Sequence, residues 1–268
     1  MRRWLLSMLM ILLITPAIAE TPLAEISIHF FDAGKADAFL LKTPDSTVLI
    51  DTGKNKMGKE IVSYLEDHGI ETIDVLFITH FDKDHVGGAD KVLESVSVGT
   101  VYEPAYVSDS KQYQQYREMI SELQVPLVTL SQNMSFELDG VIYDIDVANQ
   151  SYYGEDEEND FSLVISIRYG ETSFLFAGDA ENPRLAELLA EGIGHYDVLK
   201  VPHHGKSEKW SAAFFEAVSP RYAVITSDEE EPEETGVVHA LKQYGEVFLT
   251  RFGPVTCMSD GRSIRMTQ

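Results

Sequence analysis

Apolar and polar positions follow two periods along the chain, and segments of the two kinds alternate. A period of two predicts strands, beginning with residues 25–31. Apolar spacings of three and four predict helices, such as residues 57–68, which Gly69 ends. Short apolar runs such as residues 75–79 predict buried strands. The first half therefore predicts an antiparallel β opening followed by alternating helices and strands.

The second half of the chain predicts the same order of elements without repeating the first half's residues. Two hairpins are expected, around Asp139-Gly140 and Gly170-Glu171. Helices and strands then alternate up to a last strand near residues 255–258. No linker rich in Gly, Ser or Pro separates the halves, so we predict one domain over residues 20–268. Periodicity alone indicates a mixed α/β fold class.

The first residues have the pattern of a secretory signal peptide. Arg2 and Arg3 precede an apolar run over residues 4–14, and Ala17-Ile18-Ala19 is a small-x-small cleavage site. The run is shorter than the roughly 20 apolar residues that span a membrane. We predict a signal peptide at residues 1–19, with an uncleaved anchor as the alternative. Cleavage would leave no stable membrane span and a protein that is secreted or on the cell-envelope exterior, periplasmic where the cell has an outer membrane.

Composition and charge limit the classes of binding partner and of metal site that the chain can have. The chain has 268 residues, 44% of them hydrophobic, which is enough for a buried core. Its formal net charge is −23, with acidic runs at residues 155–160 and 228–234. Long nucleic acid is therefore disfavoured by charge, though not excluded. Cys257 is the only cysteine, which rules out an intrachain disulfide and a thiolate metal cluster.

Chemistry concentrates in the segment T-H-F-D-K-D-H-V-G-G, residues 79–88, directly after a predicted buried strand. Four possible metal ligands lie within six residues: His80, Asp82, Asp84 and His85. Imidazole and carboxylate together suit Zn²⁺ or Mn²⁺. The alternative, a merely solvated polar turn, leaves the glycine pair and the preceding strand without explanation. We therefore predict a metal site in this segment.

The segment resembles the His-x-His-x-Asp-His signature of metallo-β-lactamase-fold enzymes, with Asp82 in place of the second histidine. Further segments resemble motifs of the extracellular hydrolase domain of ComEC-type DNA-uptake proteins. In chain order they are F-D-A-G-K-A-D-A (31–38), L-I-D-T-G (49–53), N-D-F-S-L-V (159–164), A-G-D (177–179) and L-K-V-P-H-H-G (199–205). The pattern is also similar to cell-wall phosphorylcholine esterases. The resemblance covers residues 26–261 and implies a four-layer αββα sandwich.

The resemblance also implies a site for two divalent metal ions, Zn²⁺ or Mn²⁺. His80 and Asp82 would bind one ion, and Asp84 and His85 would bind the other. Asp179 would bridge the two ions, which could then share and acidify one water molecule. Asp84 would accordingly be a catalytic residue as well as a ligand.

Four more residues receive roles from the same motifs. One of His203 and His204 would complete the shell of the first metal ion, with His204 favoured. The other would orient substrate or protonate the leaving group. Asp51 would hold ligand histidines by hydrogen bonding to them. Asp37 would do the same or would stabilise the turn at Gly34.

One departure from the family pattern concerns the second metal ion. Relatives carry Gly-His-Pro before the last long helix, and its histidine helps to hold that ion, whereas this chain has D-E-E-E-P at residues 228–232. Glu231, directly before Pro232, is the nearest positional substitute, and a carboxylate there would favour Mn²⁺ over Zn²⁺. The alternative is that the second ion binds weakly or not at all.

These features predict an exported, monomeric, metal-dependent hydrolase acting on a small or medium phosphodiester or related ester. The acidic runs would form a negative rim around its site. Two alternatives remain open: an extracellular nuclease of the DNA-uptake type, and a non-catalytic binding module on the same fold, which the missing late histidine would favour. β-Lactamase activity is disfavoured because Asp82 replaces a histidine and no histidine lies between His85 and His195.

Overall fold

A computed structural model describes residues 23–154 and 158–268. Strands in these residues form two mixed sheets, with α-helices outside them. The predicted signal peptide at residues 1–19 and part of the acidic run at 155–160 lie outside the described residues. Within the described ranges, no helix is both long enough and apolar enough to cross a membrane.

The first sheet has eight strands: β1 (Ile26–Phe30), β2 (Phe39–Lys42), β3 (Thr47–Ile50), β4 (Thr72–Phe77), β5 (Ser97–Pro104), β6 (Leu127–Leu130), β14 (Val255–Ser259) and β15 (Ile264–Thr267). Their order across the sheet is β15-β14-β1-β2-β3-β4-β5-β6. The pairs from β15 to β3 are antiparallel, and those from β3 to β6 are parallel. The parallel strands are connected by α1 (Met57–Asp67), α2 (Ala89–Ser95) and α3 (Lys111–Leu123).

The second sheet repeats this plan with seven strands: β7 (Met134–Leu138), β8 (Val141–Asp146), β9 (Val164–Tyr169), β10 (Thr172–Phe176), β11 (Val198–Lys200), β12 (Tyr222–Ile225) and β13 (Glu246–Leu249). The pairs from β7 to β10 are antiparallel, and those from β10 to β13 are parallel. The parallel strands are connected by α4 (Asn182–Glu191), α5 (Ser211–Val218) and α6 (Thr235–Leu241). Short 3₁₀ helices lie at Glu158–Phe161, Pro202–Gly205 and Thr250–Phe252.

Alternation along the strands determines how the layers pack. Ile26, Ile28 and Phe30 of β1 point into a core that the two sheets share. Val141 and Tyr143 of β8 enter the same core from the second sheet. Fully burying a side chain of this size stabilises the fold by about 1.5–3 kcal/mol. Each sheet also packs against its own helices through one further apolar cluster. The four-layer αββα prediction is therefore confirmed.

The differences from the sequence-based elements have physical reasons. β15 was not predicted, and its side chains are half-buried or exposed in alternation, which gives a weak apolar signal. The second predicted hairpin begins only at Val164, with β9, because residues 158–161 form a 3₁₀ turn. Inside that turn Asp160 is buried and accepts hydrogen bonds from the backbone N–H groups of Glu181 and Arg184, at 3.1 Å each. This acidic residue therefore fastens the start of α4 and is not part of a solvated loop.

Candidate metal centre

The candidate site lies where parallel strands of both sheets end. β4 leads into the loop that holds residues 79–88, and β10 leads into Asp179. β11 leads into a 3₁₀ turn that contains His203 and His204. The carboxyl ends of parallel strands are the usual place for a site in α/β folds, because the following loops converge there. In this protein the loops of two different sheets converge at that edge.

Three buried imidazoles share one unusual property in this part of the structure. The Nε2 atoms of His80, His85 and His204 are buried and have no hydrogen-bond partner. Two of them lie close to one carboxylate oxygen: Asp179 Oδ2 is 3.0 Å from Nε2 of His204 and 3.3 Å from Nε2 of His85. Buried polar atoms without partners are rare and call for an explanation.

Asp51 holds the Nδ1 side of the His85 ring directly and that of the His80 ring through Thr79. Asp51 Oδ2 accepts a hydrogen bond from Nδ1 of His85 at 2.8 Å. The same oxygen accepts one from Thr79 Oγ1 at 2.7 Å. Because that hydroxyl donates its single proton to Asp51, it accepts from Nδ1 of His80, which lies 3.1 Å away. Nδ1 of each imidazole is therefore held by these partners, and Nε2 is the nitrogen directed at the site.

The third imidazole is held in the same way by a second relay. Thr226 Oγ1 donates to Asp37 Oδ1 at 2.7 Å and therefore accepts from Nδ1 of His204 at 2.9 Å. Asp37 itself is fully buried, and its other oxygen forms an ion pair with Nζ of Lys200. Carboxylates and hydroxyls that hold the far nitrogen of a histidine are typical of protein metal sites.

The spacing of the free atoms fits a metal ion. Atoms that bind one ion in a tetrahedron at about 2.0–2.1 Å lie roughly 3.3 Å from one another. Besides the two contacts of Asp179 Oδ2, Asp84 Oδ2 lies 3.7 Å from Nε2 of His204. One ligand atom each from Asp84, His85 and His204 lies within 4.8 Å of the other two, and the same holds for His80, His85 and Asp179. The residues present therefore fit one metal ion closely and a second less completely.

This grouping revises one expectation from the sequence. His204 lies with Asp84 and His85, and not with His80 and Asp82, whose ion it was expected to complete. The ligand atoms of the second group lie farther apart and are less enclosed: Asp82 Oδ2 is 4.0 Å from Nε2 of His80, and the Asp82 side chain is 43% exposed. The two candidate positions are therefore unequal, and the weaker one is that of His80.

Concentrated charge shifts the acidity of several groups. Burial raises the pKa of Asp82 to about 6, with repulsion from Asp84 and Glu158 adding to it and the attraction of His85 opposing it. Burial alone would lower the pKa of His85, but the carboxylates of Asp179 and Asp51 outweigh it and hold that pKa well above its usual value. Without a metal ion, Asp82 and His85 therefore hold their protons more readily, because no metal cation balances the negative charge around them.

Glu231 does not belong to either group. Its side chain is 61% exposed, and its carboxylate forms an ion pair with Lys35 Nζ at 3.1 Å. Asp228 holds the same loop by accepting hydrogen bonds from the backbone N–H groups of Lys35 and Glu231, at 3.1 Å and 2.6 Å. Glu233 is buried against Ser227 and Arg251. This acidic run is therefore partly structural, and the expected ligand role of Glu231 has no support in the geometry.

His203 points away from the central group. Its Nδ1 lies 3.0 Å from Glu181 Oε1, and this hydrogen bond lowers the pKa of Glu181 to about 2. His203 and His204 both have left-handed backbones, with φ of 47° and 52°. Residues other than glycine adopt this region at a cost, and such strain is concentrated at functional sites. The turn thus separates two adjacent histidines, with His204 inside the site and His203 at its edge.

The glycines of the signature are required by close packing. A Cβ at Gly88 would lie 2.4 Å from the carbonyl oxygen of Thr52 and 2.6 Å from the backbone N of Gly58. The loop therefore lies directly on the start of α1 and on the L-I-D-T-G segment that contains Asp51. Backbone contact between these segments fixes the position of Asp51 relative to His85.

Sequence reasoning did not assign roles to four residues of the site: Thr79, Thr226, Lys200 and Glu181. Thr79 and Thr226 each follow a buried strand closely, where a hydroxyl is an available signal, but nothing in the sequence indicates which imidazole each one meets. Lys200 lies at the end of β11 in an otherwise apolar run. A lysine in such a run was the available sequence signal, and the structure shows that its side chain is fully buried. The partner of Glu181 becomes apparent only from the left-handed turn at His203.

Comparison with known proteins identifies the family of the chain. The sequence profile described as Metallo-beta-lactamase superfamily matches residues 32–226. Recombination protein 2 of Haemophilus influenzae is 27% identical over 206 residues, 75% of this chain and 24% of that protein. Competence protein ComA of Neisseria gonorrhoeae is 27% identical over 211 residues, 77% of this chain and 28% of that protein. The chain thus spans about a quarter of the length of these curated relatives.

Solved structures show the same fold. The metallo-beta-lactamase fold protein YhfI of Bacillus subtilis aligns with a TM-score of 0.60 at 8% identity, over 91% of this chain and 100% of that one. CmlA, a diiron beta-hydroxylase from Streptomyces venezuelae, aligns with a TM-score of 0.53 at 15% identity, over 92% of this chain and 55% of that one. At these identities the likeness concerns the fold alone.

Proposed function

Because the chain belongs to the metallo-β-lactamase superfamily, we propose that it is an exported metal-dependent hydrolase acting on a phosphodiester or a related ester. The fold implies binding of divalent metal, and the His and Asp groups supply candidate positions. The observation that carries the proposal is the convergence of three buried Nε2 atoms near Asp179. When bound, divalent metal ions would acidify a water molecule and polarise the substrate.

We assign the residues as follows. Asp84, His85, His204 and Asp179 hold the tighter metal position. His80 and Asp82, with Asp179 shared, form the weaker one. Asp51 and the Thr226–Asp37 pair keep the imidazoles in the tautomer that binds metal. Both Zn²⁺ and Mn²⁺ suit this mixture of imidazole and carboxylate.

His203 is assigned to the substrate. Its ring is 12% exposed, and Glu181 occupies its Nδ1, so its Nε2 is left for a group outside the protein. We propose that it orients the scissile group or donates a proton to the leaving oxygen. Glu181 would fix the ring in the orientation needed for this contact.

An extracellular nuclease of the DNA-uptake type is the second candidate. It is favoured by the 27% identity to a competence protein and to a recombination protein. The net charge of −23 and the influence of Glu158 on Asp82 favour a shorter or less anionic substrate. We therefore place a small or medium phosphodiester first. A monomer is the simplest state for such an enzyme, and residues 1–19 support export.

A non-catalytic binding module and a β-lactamase rank lower. The buried atoms described above suit a catalytic metal site, and a binding module that holds no metal has no need of them. Against β-lactamase activity, Asp82 stands where such enzymes carry a histidine, and no histidine lies between His85 and His195 to supply their middle ligand.

A panel of substrates tests the proposal. Purified protein would be assayed with Mn²⁺ and with Zn²⁺ on bis-p-nitrophenyl phosphate, p-nitrophenyl phosphorylcholine, single-stranded DNA and a cephalosporin. Turnover of a small phosphodiester supports the proposal, and turnover of DNA alone selects the nuclease. Protein that holds metal and turns over none of them would be a binding module. Cephalosporin hydrolysis alone would overturn the ranking.

A further inference from the structure

Lys200 is a fully buried lysine at the centre of the site. It is the last residue of β11, and its side chain has an exposure of 0%. Its Nζ contacts Asp37 Oδ2, lies 3.0 Å from the carbonyl oxygen of Gly178, and lies 3.4 Å from Asp179 Oδ1. The three hydrogens of the ammonium group thus face three acceptors, which is its full bonding capacity.

Such a charge is retained in a protein interior only with partners. Moving an ammonium group out of water costs several kcal/mol unless carboxylates compensate for it. Asp37 and Asp179 provide that compensation, and neither contact is needed to hold β11, which is paired on both sides in the sheet. The lysine therefore belongs to the site and is not required by the sheet.

The contacts divide the two oxygens of Asp179 between different partners. Oδ1 faces Lys200 at 3.4 Å, whereas Oδ2 faces His204 at 3.0 Å and His85 at 3.3 Å. We propose that Lys200 is a positioning residue that reserves Oδ1 of Asp179, so that this carboxylate binds metal through Oδ2 alone. This inference rests on the proposed metal site, and it adds which oxygen of the shared carboxylate, Asp179, is available to the metal.

Asp37 extends the same control to a histidine. Its Oδ2 holds Lys200, and its Oδ1 holds Thr226, which in turn fixes His204. One buried carboxylate thus connects the lysine that orients Asp179 with the imidazole beside Asp179. Without the lysine, both oxygens of Asp179 would be free to chelate one ion, and the number of ligands around that ion would rise.

Cobalt absorption measures this difference directly. Co²⁺ added to metal-free protein absorbs visible light most strongly with four ligands, less strongly with five and weakly with six. We expect strong absorption in the wild type and a loss of absorptivity in Lys200→Met, with Co²⁺ still bound. Lys200→Arg keeps the positive charge and should retain more of the wild-type spectrum. Lys206→Met is the matched control, because that lysine is half-exposed and contacts Glu181, outside the central group.

The double variant Asp37→Asn/Lys200→Met keeps the test independent of folding. It removes the buried pair together, and the asparagine oxygen still accepts from Thr226. We expect the same loss of absorptivity in this protein. Co²⁺ bound with an unchanged spectrum in Lys200→Met and in the double variant overturns the inference and leaves the proposed function intact. A wild-type protein that binds no Co²⁺ overturns the metal site, and the inference with it.

Discussion

Asp51 accepts a hydrogen bond from Nδ1 of His85 at 2.8 Å and thereby directs the Nε2 of that imidazole at Asp179. Asp51 is fully buried and has a left-handed backbone with φ of 56°. The strained turn of the L-I-D-T-G segment thus orients the imidazole of a residue 34 positions later in the chain.

Replacement of Asp51 by asparagine tests this relationship. An amide accepts a weaker hydrogen bond and does not stabilise the charge of a bound metal ion, so Asp51→Asn should weaken metal binding about 10- to 100-fold. Titration of the metal-free protein with Zn²⁺ in the calorimeter measures the change. Asp32→Asn, at an exposed carboxylate in the neighbouring loop, is the control and should bind as the wild type does. Equal affinities in both variants would remove Asp51 from the site.

Thr226→Val tests the second relay. Valine has almost the same shape as threonine but leaves Nδ1 of His204 and Oδ1 of Asp37 without their shared partner. The buried, unsatisfied groups should lower the free energy of unfolding by about 1–3 kcal/mol. Urea unfolding gives this value, and the metal titration should show weaker binding in the same protein. A variant as stable as the wild type would contradict the relay.

Asp82 gives a prediction about pH. Its pKa of about 6 in the folded protein lies above the usual value of a carboxyl, so the folded state favours its protonated form. In metal-free protein its ionisation therefore costs stability as the pH rises towards and through 6, and the cost is absent at low pH. Asp82→Asn should make metal-free protein more stable than the wild type at pH 7.5, with a smaller difference at pH 4.5. Urea unfolding at both values checks the sign.

Saturating metal should reverse the order of stability. Asparagine is a weaker ligand than a carboxylate, so the wild type gains more from bound metal than Asp82→Asn does. The same unfolding experiment with excess Mn²⁺ shows whether it does. An Asp82→Asn protein that remains the more stable of the two with metal would mean that Asp82 is not a ligand.

Replacement of Glu231 distinguishes the metal ligands assigned from the structure from those predicted from the sequence. Because Glu231 is exposed and paired with Lys35, Glu231→Gln should leave the metal content unchanged. Asp84→Asn removes a carboxylate 3.7 Å from His204 and should reduce the content. Plasma emission analysis of the two proteins, purified side by side, gives the comparison. Loss of metal in Glu231→Gln would restore the role predicted from its position before Pro232.

The sequence was informative where chemistry is local. The spacing of His80, Asp82, Asp84 and His85 predicted a shared site, and the order of the motifs predicted the fold. The grouping of His204 could not be read from the chain, because it depends on how a turn with two left-handed residues faces the loop of the other sheet. The hydroxyl relays and Lys200 were equally inaccessible, since each joins segments that are far apart in the sequence and meet only after folding.

The central claim is that hydrolysis depends on metal held by this cluster. The most direct measurement is the rate of bis-p-nitrophenyl phosphate hydrolysis as metal-free protein is titrated with Mn²⁺, for the wild type and for Asp84→Asn. We predict no hydrolysis without metal, a rise to a plateau in the wild type, and no comparable rise in the variant. Hydrolysis that persists after metal removal, or that rises equally in Asp84→Asn, would contradict the account.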